Sequence, residues 1–155
     1  MFTGPGAGRA EEAMNFYTSV FKSPPPNVLM RYGAGEKPDA EGTVKFATFT
    51  LGGQSFTAMD SAHPHGFAFN EAISIVVPCD SQEEIDYYWS KLSADPNAGQ
   101  CGWQKDRFGV SWQIKPAALG RMLGSGDAAR TARVTQAFLK MKKFDVAALE
   151  RAFSG

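Results

Sequence analysis

The chain has 155 residues, with 16 Lys and Arg against 16 Asp and Glu, so its formal net charge is zero. A hydrophobic content of 43%, with 12% aromatic residues, excludes a mainly disordered chain, and the length fits one domain over residues 1–155. Zero net charge argues against a nucleic-acid partner, and no apolar run reaches the roughly 20 residues that a membrane span needs. The amino terminus shows no secretory signal, and Cys79 and Cys101 are too few for a disulfide scaffold, so we expect a cytoplasmic protein.

The first part of the chain predicts one helix followed by three strands. Apolar residues at helical spacing indicate the helix, and the Ser23-Pro24 step ends it. The Gly52-Gly53 pair between two β-prone runs indicates a tight hairpin. The predicted elements are a short strand at residues 1–3, a helix at 10–21, and strands at 27–32, 44–51 and 54–60.

The middle of the chain nearly repeats this order. Residues 61–70 are predicted as a linker, and Ser81 with Glu84 forms a capping box at the start of a helix. The repeat is one of element order and not of residue identity. The predicted elements are a strand at residues 72–77 ended by Pro78, a helix at 82–93, a break at 95–97, and strands at 100–105 and 110–115.

The carboxy-terminal part predicts helices. A short helix begins at Pro116 and ends near Gly124, and Asp127 and Asp145 are expected to cap two more. The chain is therefore predicted as an α+β fold, with module one at about residues 1–62, module two at about 70–116 and a helical tail at 117–155. With helices outside, the two sheets would enclose a cleft suited to a ligand. The apolar positions expected to face inward in the tail are Val134, Phe138, Met141, Val146, Leu149 and Phe153.

Few residue patterns suggest catalysis directly. His63 and His65 flank a proline in a predicted extended segment and could bind one metal, although solvated loop histidines are the simpler interpretation. The two cysteines lack a neighbouring group that would activate a thiol. On the strand at 110–115, alternation places Ser111 and Gln113 on the face opposite Trp112, so these polar groups could reach a ligand.

These residues carry a resemblance to a known family. The chain is similar to PhnB-like proteins, which are often labelled 3-demethylubiquinone-9 3-methyltransferases and resemble the glyoxalase/bleomycin resistance/dioxygenase, or vicinal oxygen chelate, superfamily. That resemblance implies paired βαβββ modules and a homodimer. The motifs that carry it are CGWQKDRFGVSWQI at residues 101–114, Pro116, Met122-Leu123, Ala10-Glu11-Glu12-Ala13 with Phe16-Tyr17, Gly52-Gly53-Gln54, Ala72-x-Ser74, and Glu83/Glu84-x-Asp86 before Trp89.

The resemblance also implies where a metal would lie in catalytic relatives. Those proteins place His or Glu on the first and last strands of each module, where this chain offers Ser74 and Gln113 in module two. Module one offers only Thr57 or Asp60 near its end. Neutral Ser and Gln are poor ligands for a divalent transition metal. We therefore expect no metal and no cofactor.

The leading hypothesis is a metal-independent binding protein for a small organic molecule, with no nucleic-acid or membrane partner. Ser74 and Gln113 would supply hydrogen bonds in an apolar cleft, Trp103 and Thr57 its wall, and Asp60 its mouth. One alternative is a metal-dependent lyase, isomerase or dioxygenase that uses Asp60 with His63 or His65. The other is the methyltransferase of the family label, which the predicted hairpins disfavour because a typical methyltransferase has a doubly wound parallel sheet.

Overall fold

The computed structural model describes residues 1–95 and 99–155 and divides into two compact units, Met1–Phe69 and Asn70–Gly155. Each unit contains a three-stranded sheet with helices, which confirms the predicted α+β class. The predicted break at 95–97 lies largely outside the described residues. Among the described helices, none has the length and apolar character needed to cross a membrane.

Unit 1 contains one principal helix and an antiparallel sheet. Its elements are α1 (Ala10–Val20), β1 (Asn27–Arg31), β2 (Val44–Leu51) and β3 (Gln54–Ala58). The strands pair in the order β1-β2-β3, and Gly52 and Gly53 make the predicted tight turn, both with positive φ. The predicted strand at 1–3 is reduced to a single parallel bridge between Phe2 and Asp60.

The core of unit 1 lies between α1 and β2. Helical spacing brings Ala13, Tyr17 and Val20 to one buried face of α1. On β2, alternation places Ala47 and Leu51 on the buried side of the sheet. The apolar pattern that predicted these elements therefore also forms their interface.

Unit 2 begins with a parallel strand pair. Its first elements are β4 (Ile75–Cys79), α2 (Gln82–Leu92), β5 (Trp103–Lys105) and β6 (Ser111–Pro116). The strand order is β4-β6-β5, with β4 parallel to β6 and β5 antiparallel to β6. The helix α2 packs on β6 and buries Ile85 and Trp89, while β6 buries Trp112 and Ile114. This arrangement confirms the predicted βαββ order.

The strands of unit 2 differ in their bounds from the prediction, most clearly β4 and β5. The first strand runs from Ile75 to Cys79 and includes Pro78, which the sequence analysis placed after its end. Because β4 is an edge strand, it can accommodate a proline that lacks an N–H donor. The strand predicted from residue 100 begins at Trp103, because Cys101 and Gly102 form a turn with positive φ.

The helical appendix, residues 117–155, belongs to unit 2. It consists of α3 (Ala118–Leu123), α4 (Ala128–Phe138) and α5 (Val146–Ser154). Asp127 accepts hydrogen bonds from the N–H groups of residues 129 and 130, and Asp145 accepts one from Ala148, so both predicted caps are confirmed. Val134 and Leu149 are fully buried; the half-buried positions are Phe138, Met141, Val146 and Phe153.

Candidate functional site

The open face of unit 2 is the side of its sheet opposite α2. Because Trp112 and Ile114 turn their side chains toward the buried side, Gln113 between them lies on the open face. Gln113 is in register with Val76 of β4 on one side and with Trp103 of β5 on the other. An amide therefore lies between an apolar side chain and an indole.

Ser74 and Gln113 are joined by a hydrogen bond at this face. The Gln113 Nε2 donates to the Ser74 Oγ at 2.8 Å, and both side chains are half-buried. Ser74 lies just before β4, and the parallel pairing of β4 with β6 brings it to Gln113 although 39 positions separate them. In the described part of the chain, the Gln113 side-chain oxygen has no hydrogen-bond partner, so it can accept one from a ligand.

Trp103 also lines a cavity of about 470 Å³ within unit 2, to whose lining Ser74 and Gln113 do not belong. Its side chain is 36% exposed, and the cavity has the size of a small-molecule site. Lys105 forms an ion pair with Glu71, and the hydrogen bond from Lys105 lowers the pKa of Glu71. Residues lining the cavity include Glu71, Ala94, Trp103, Gln104, Lys105 and Ser111.

Gln104 is a lining residue that the sequence analysis missed. Its side chain is only 6% exposed, and neither amide atom has a hydrogen-bond partner within residues 1–95 and 99–155. An unpaired buried amide is costly, which is why native proteins seldom keep one. Strand alternation could have flagged it, since Gln104 lies opposite Trp112 on the side of the sheet that is otherwise apolar.

Thr57 lies in the other unit, on β3. It faces Thr48 across the β2–β3 pair and lines a separate hollow of about 440 Å³. The prediction that Thr57 contacts ligand remains a prediction. It is joined to neither Ser74 nor Gln113 by a described contact.

Asp60 makes two backbone contacts inside unit 1. Its side chain is 2% exposed, and its two carboxylate oxygens accept hydrogen bonds from the Ala10 N–H at 3.0 Å and the Val44 N–H at 3.1 Å. The first contact caps α1, whose own N-cap residue supplies no side-chain bond. These bonds explain why an acidic residue is buried there, and the predicted position at a cleft mouth remains a prediction.

One ring nitrogen of each histidine lies near an oxygen of another side chain. His63 Nε2 lies 3.9 Å from Asp39 Oδ2, and His65 Nε2 lies 2.8 Å from Ser61 Oγ. Across residues 1–95 and 99–155, no group of three or more His, Cys, Asp or Glu side chains is arranged to hold a metal ion. The donors at the open face are a hydroxyl and a neutral amide, which do not fit a divalent transition metal.

The distinctive run at residues 101–114 is held together mainly by Asp106. One of its carboxylate oxygens accepts the N–H groups of Phe108 and Val110, at 2.8 and 3.0 Å, and the other accepts the Trp112 indole N–H at 2.8 Å. The same run carries Gln113 one residue beyond Trp112. The motif is therefore largely the frame that places Gln113 and Trp103.

The cysteines differ in burial. Cys79 is buried in β4, and burial raises the pKa of its thiol to about 12, with Glu84 and Asp80 adding to the shift. Its thiol is thus protonated and unreactive at neutral pH. Cys101 is half-buried, and its Sγ lies 3.6 Å from the carbonyl oxygen of Phe138.

Comparison with known proteins gives one family and two structural neighbours. A family model described as 3-demethylubiquinone-9 3-methyltransferase matches residues 1–115. A PhnB protein of Bacillus cereus, provisionally given that methyltransferase name, is 42% identical with a TM-score of 0.58, over 72% of this chain and 93% of that one. A Pseudomonas aeruginosa protein is 20% identical with a TM-score of 0.54, over 71% and 90%, and supports the fold alone. No curated protein matches the chain.

Proposed function

Because the chain belongs to the 3-demethylubiquinone-9 3-methyltransferase, or PhnB-like, family, we propose that it binds a small organic molecule on the open face of unit 2. The observation that carries the proposal is the 2.8 Å hydrogen bond between Gln113 and Ser74 beside the half-exposed Trp103. That bond fixes the amide and leaves its oxygen free to accept. The paired modules of the glyoxalase/bleomycin resistance superfamily fit the same fold.

The ligand chemistry follows from these groups. A planar apolar ring would stack on the Trp103 indole, which also lines the neighbouring cavity. A donor on the ligand would bond the Gln113 oxygen, and an acceptor could receive the Ser74 hydroxyl hydrogen. A few placed polar groups beside an apolar surface are the usual composition of a small-molecule site. Thr57 is retained only as a second, weaker candidate in unit 1.

Binding without a metal ion is part of the proposal. The support is the neutral donor pair, since relatives that use a metal would carry His or Glu where this chain has Ser74 and Gln113. The alternative metal site would need Asp60, whose oxygens already accept the N–H groups of Ala10 and Val44. We therefore assign no step to a metal ion.

The methyltransferase label finds no matching cofactor site in the described residues. Typical S-adenosylmethionine sites lie at the carboxyl ends of several parallel strands. Here unit 2 has one parallel pair, β4 with β6, and unit 1 has one parallel bridge, Phe2 with Asp60. We derive no methyl transfer from the label.

We also propose that the protein works as a cytoplasmic homodimer. Support for the dimer comes from the family resemblance and from exposed apolar side chains on the edge strand β1, Leu29 and Met30. Support for a reducing compartment comes from the free cysteines Cys79 and Cys101. Sedimentation velocity tests the dimer directly, and a monomer at micromolar concentration would refute it.

The binding experiment uses benzamide as the probe, because its ring can stack on Trp103 and its amide can pair with Gln113. NMR titration should perturb the Trp103 indole N–H and the Gln113 side-chain amide. Gln113→Ala should weaken binding about tenfold, the loss expected when a hydrogen bond worth about 1.4 kcal/mol is removed. Gln54→Ala, at the exposed hairpin turn of unit 1, is the matched control and should leave binding unchanged.

Metal analysis of protein purified without chelator tests the second part. We expect far less than one transition-metal ion per chain and the same benzamide binding after dialysis against EDTA. A stoichiometric metal that disappears in Gln113→Ala would overturn metal independence. Calorimetry with S-adenosylmethionine tests the label, and heat at micromolar cofactor would favour the methyltransferase alternative.

A further inference from the structure

The appendix is hydrogen-bonded to the turn that begins β5. The Cys101 N–H donates to the Met141 carbonyl and the Gly102 N–H to the Lys142 carbonyl, both at 2.8 Å. The Gln100 Nε2 adds a 2.8 Å bond to the Leu139 carbonyl. Three consecutive residues before Trp103 are thus bonded to the segment between α4 and α5.

Phe144 closes the same turn by packing. Gly102 has φ of +79°, and a Cβ added there would lie 2.4 Å from Phe144 Cε2 and 2.6 Å from the Ile114 carbonyl oxygen. The Gly102 carbonyl also accepts the Ile114 N–H at 2.8 Å. The turn is therefore clamped between the buried Phe144 ring and β6.

Gln82 holds Phe144 in place from the first turn of α2. Its Nε2 donates to the Phe144 carbonyl at 3.1 Å, and its Oε1 accepts the Val146 N–H at 2.8 Å. One side chain thus bonds the backbone on both sides of Asp145. The ring that presses on Gly102 is fixed to α2 as well as to the appendix.

β5 is short enough to need this support. It has only three residues and lies at the edge of the sheet, where short strands contribute little pairing. Apart from its pairing with β6, β5 makes further backbone hydrogen bonds. Trp103 exchanges two with Gln100, and the Lys105 carbonyl accepts one from the Ala94 N–H. The Cys101-Gly102 turn therefore joins the end of β5 that carries Trp103 to the appendix.

We propose that Phe144 is a positioning residue for the ligand site, because it clamps the Cys101-Gly102 turn and so sets the Trp103 indole opposite Gln113. The inference rests on the proposed function for the ligand-binding role of Trp103, whereas the contacts between Phe144 and the turn do not depend on it. The family model ends at residue 115, so this role belongs to a part of the chain outside the family match.

Fluorine NMR of protein labelled with 5-fluorotryptophan tests the proposal without a ligand. Trp103→Phe assigns the Trp103 signal by its disappearance. Phe144→Ala should shift and broaden that signal, and Phe144→Leu should restore it in part. Leu149→Ala is the control, since it shortens another fully buried side chain of the appendix; it should lower stability and leave the Trp103 signal in place.

The probe titration separates this inference from the proposed function. Benzamide affinity should fall about tenfold in Phe144→Ala and stay at the wild-type value in Leu149→Ala. An unshifted Trp103 signal in folded Phe144→Ala would overturn the positioning role, whatever benzamide does, and if Phe144→Ala does not fold, an unshifted signal in Phe144→Leu would do so. An equal shift in all three variants would also overturn it, because it would reflect general loosening of the appendix. Failure of benzamide to bind wild-type protein would count against the proposed function alone.

Discussion

Both units contain a parallel backbone pairing between their amino-terminal part and the segment that ends their sheet, but the extent of that pairing differs. In unit 2 the pairing is a ladder of five residue pairs, from Ile75 with Trp112 to Cys79 with Pro116. In unit 1 it is a single bridge between Phe2 and Asp60. A strand ladder therefore joins the first strand of unit 2 to its sheet, whereas in unit 1 other contacts hold the amino-terminal segment to the sheet.

The buried aspartates show what those other contacts are. In unit 1, Asp60 bonds the start of α1 and the start of β2, which are distant in sequence. In unit 2, Asp106 bonds groups within its own hairpin, ending at the Trp112 indole. Asp60 therefore joins α1 to β2, between which there is no strand ladder. Asp106 instead stiffens a hairpin whose strand β6 already pairs with β4 along a full ladder.

The largest expected effect comes from a substitution at one glycine of unit 2. Gly102→Ala forces a methyl against Phe144 and the Ile114 carbonyl at φ of +79°, so strain and overpacking add. We expect a loss of about 3 kcal/mol or more in the free energy of unfolding, measured by urea denaturation. Gly53→Ala in unit 1 is the control, because its φ is +80° but the space around it is open. It should cost only about 1–2 kcal/mol. Equal losses would show that the Phe144 clamp is loose.

The two aspartates give the next largest effects. Asp60→Ala and Asp106→Ala should each lower the free energy of unfolding by about 3 kcal/mol, because each substitution leaves buried N–H donors without the carboxylate that accepted their hydrogen bonds. Hydrogen exchange should locate the damage differently. Asp60→Ala should expose the Ala10 and Val44 amides, and Asp106→Ala those of Phe108 and Val110. Exchange that rises uniformly across the chain in either variant would contradict the distinct roles.

Local signals were enough to predict the helix α1 and the three strands of unit 1. The Gly52-Gly53 turn and the alternating strands beside it fix their own register, and helical spacing defines α1. The structural role of Asp60 could not be predicted, because its partners lie 50 and 16 positions away in sequence. Nothing near Asp60 in the sequence shows that two backbone N–H groups need an acceptor there.

The boundaries in unit 2 depend on distant partners and were predicted less well. β4 spans the residues that pair with β6, so Ile73 stays exposed although its sequence favours a strand. The start of β5 is moved by the appendix, which bonds Cys101 and Gly102 into a turn. The proximity of two candidate residues was predictable in part: the family resemblance selected Ser74 and Gln113, which the structure joins by a hydrogen bond, while their contact with a ligand stays a prediction.

A smaller effect tests how the two helices are capped. The Ser81 Oγ accepts the Glu84 N–H at 3.3 Å, so α2 has a local cap where α1 depends on distant Asp60. Ser81→Ala should lower the free energy of unfolding by about 1 kcal/mol, less than Asp60→Ala. Ser90→Ala, an exposed position within α2, is the matched control and should be neutral or slightly stabilising. A Ser81→Ala loss as large as that of Asp60→Ala would erase the contrast between the helices.

The smallest effect concerns an exposed ion pair of unit 1, which joins α1 to β1. The Arg31 guanidinium donates to both oxygens of Glu11 at 2.7 Å, and this hydrogen bonding lowers the pKa of Glu11. A carboxyl with a lowered pKa stabilises the folded state at pH values above its ordinary pKa, near 4.5, and that contribution is lost as the pH falls through the lowered value.

Glu11→Gln should therefore lower the melting temperature slightly at pH 7, by less than Ser81→Ala does, and leave it unchanged in strong acid. Because the pair is exposed, high salt should shrink the difference. A double-mutant cycle with Arg31→Gln isolates the pair, and a coupling that survives both acid and salt would mean that Glu11 acts through packing instead of charge.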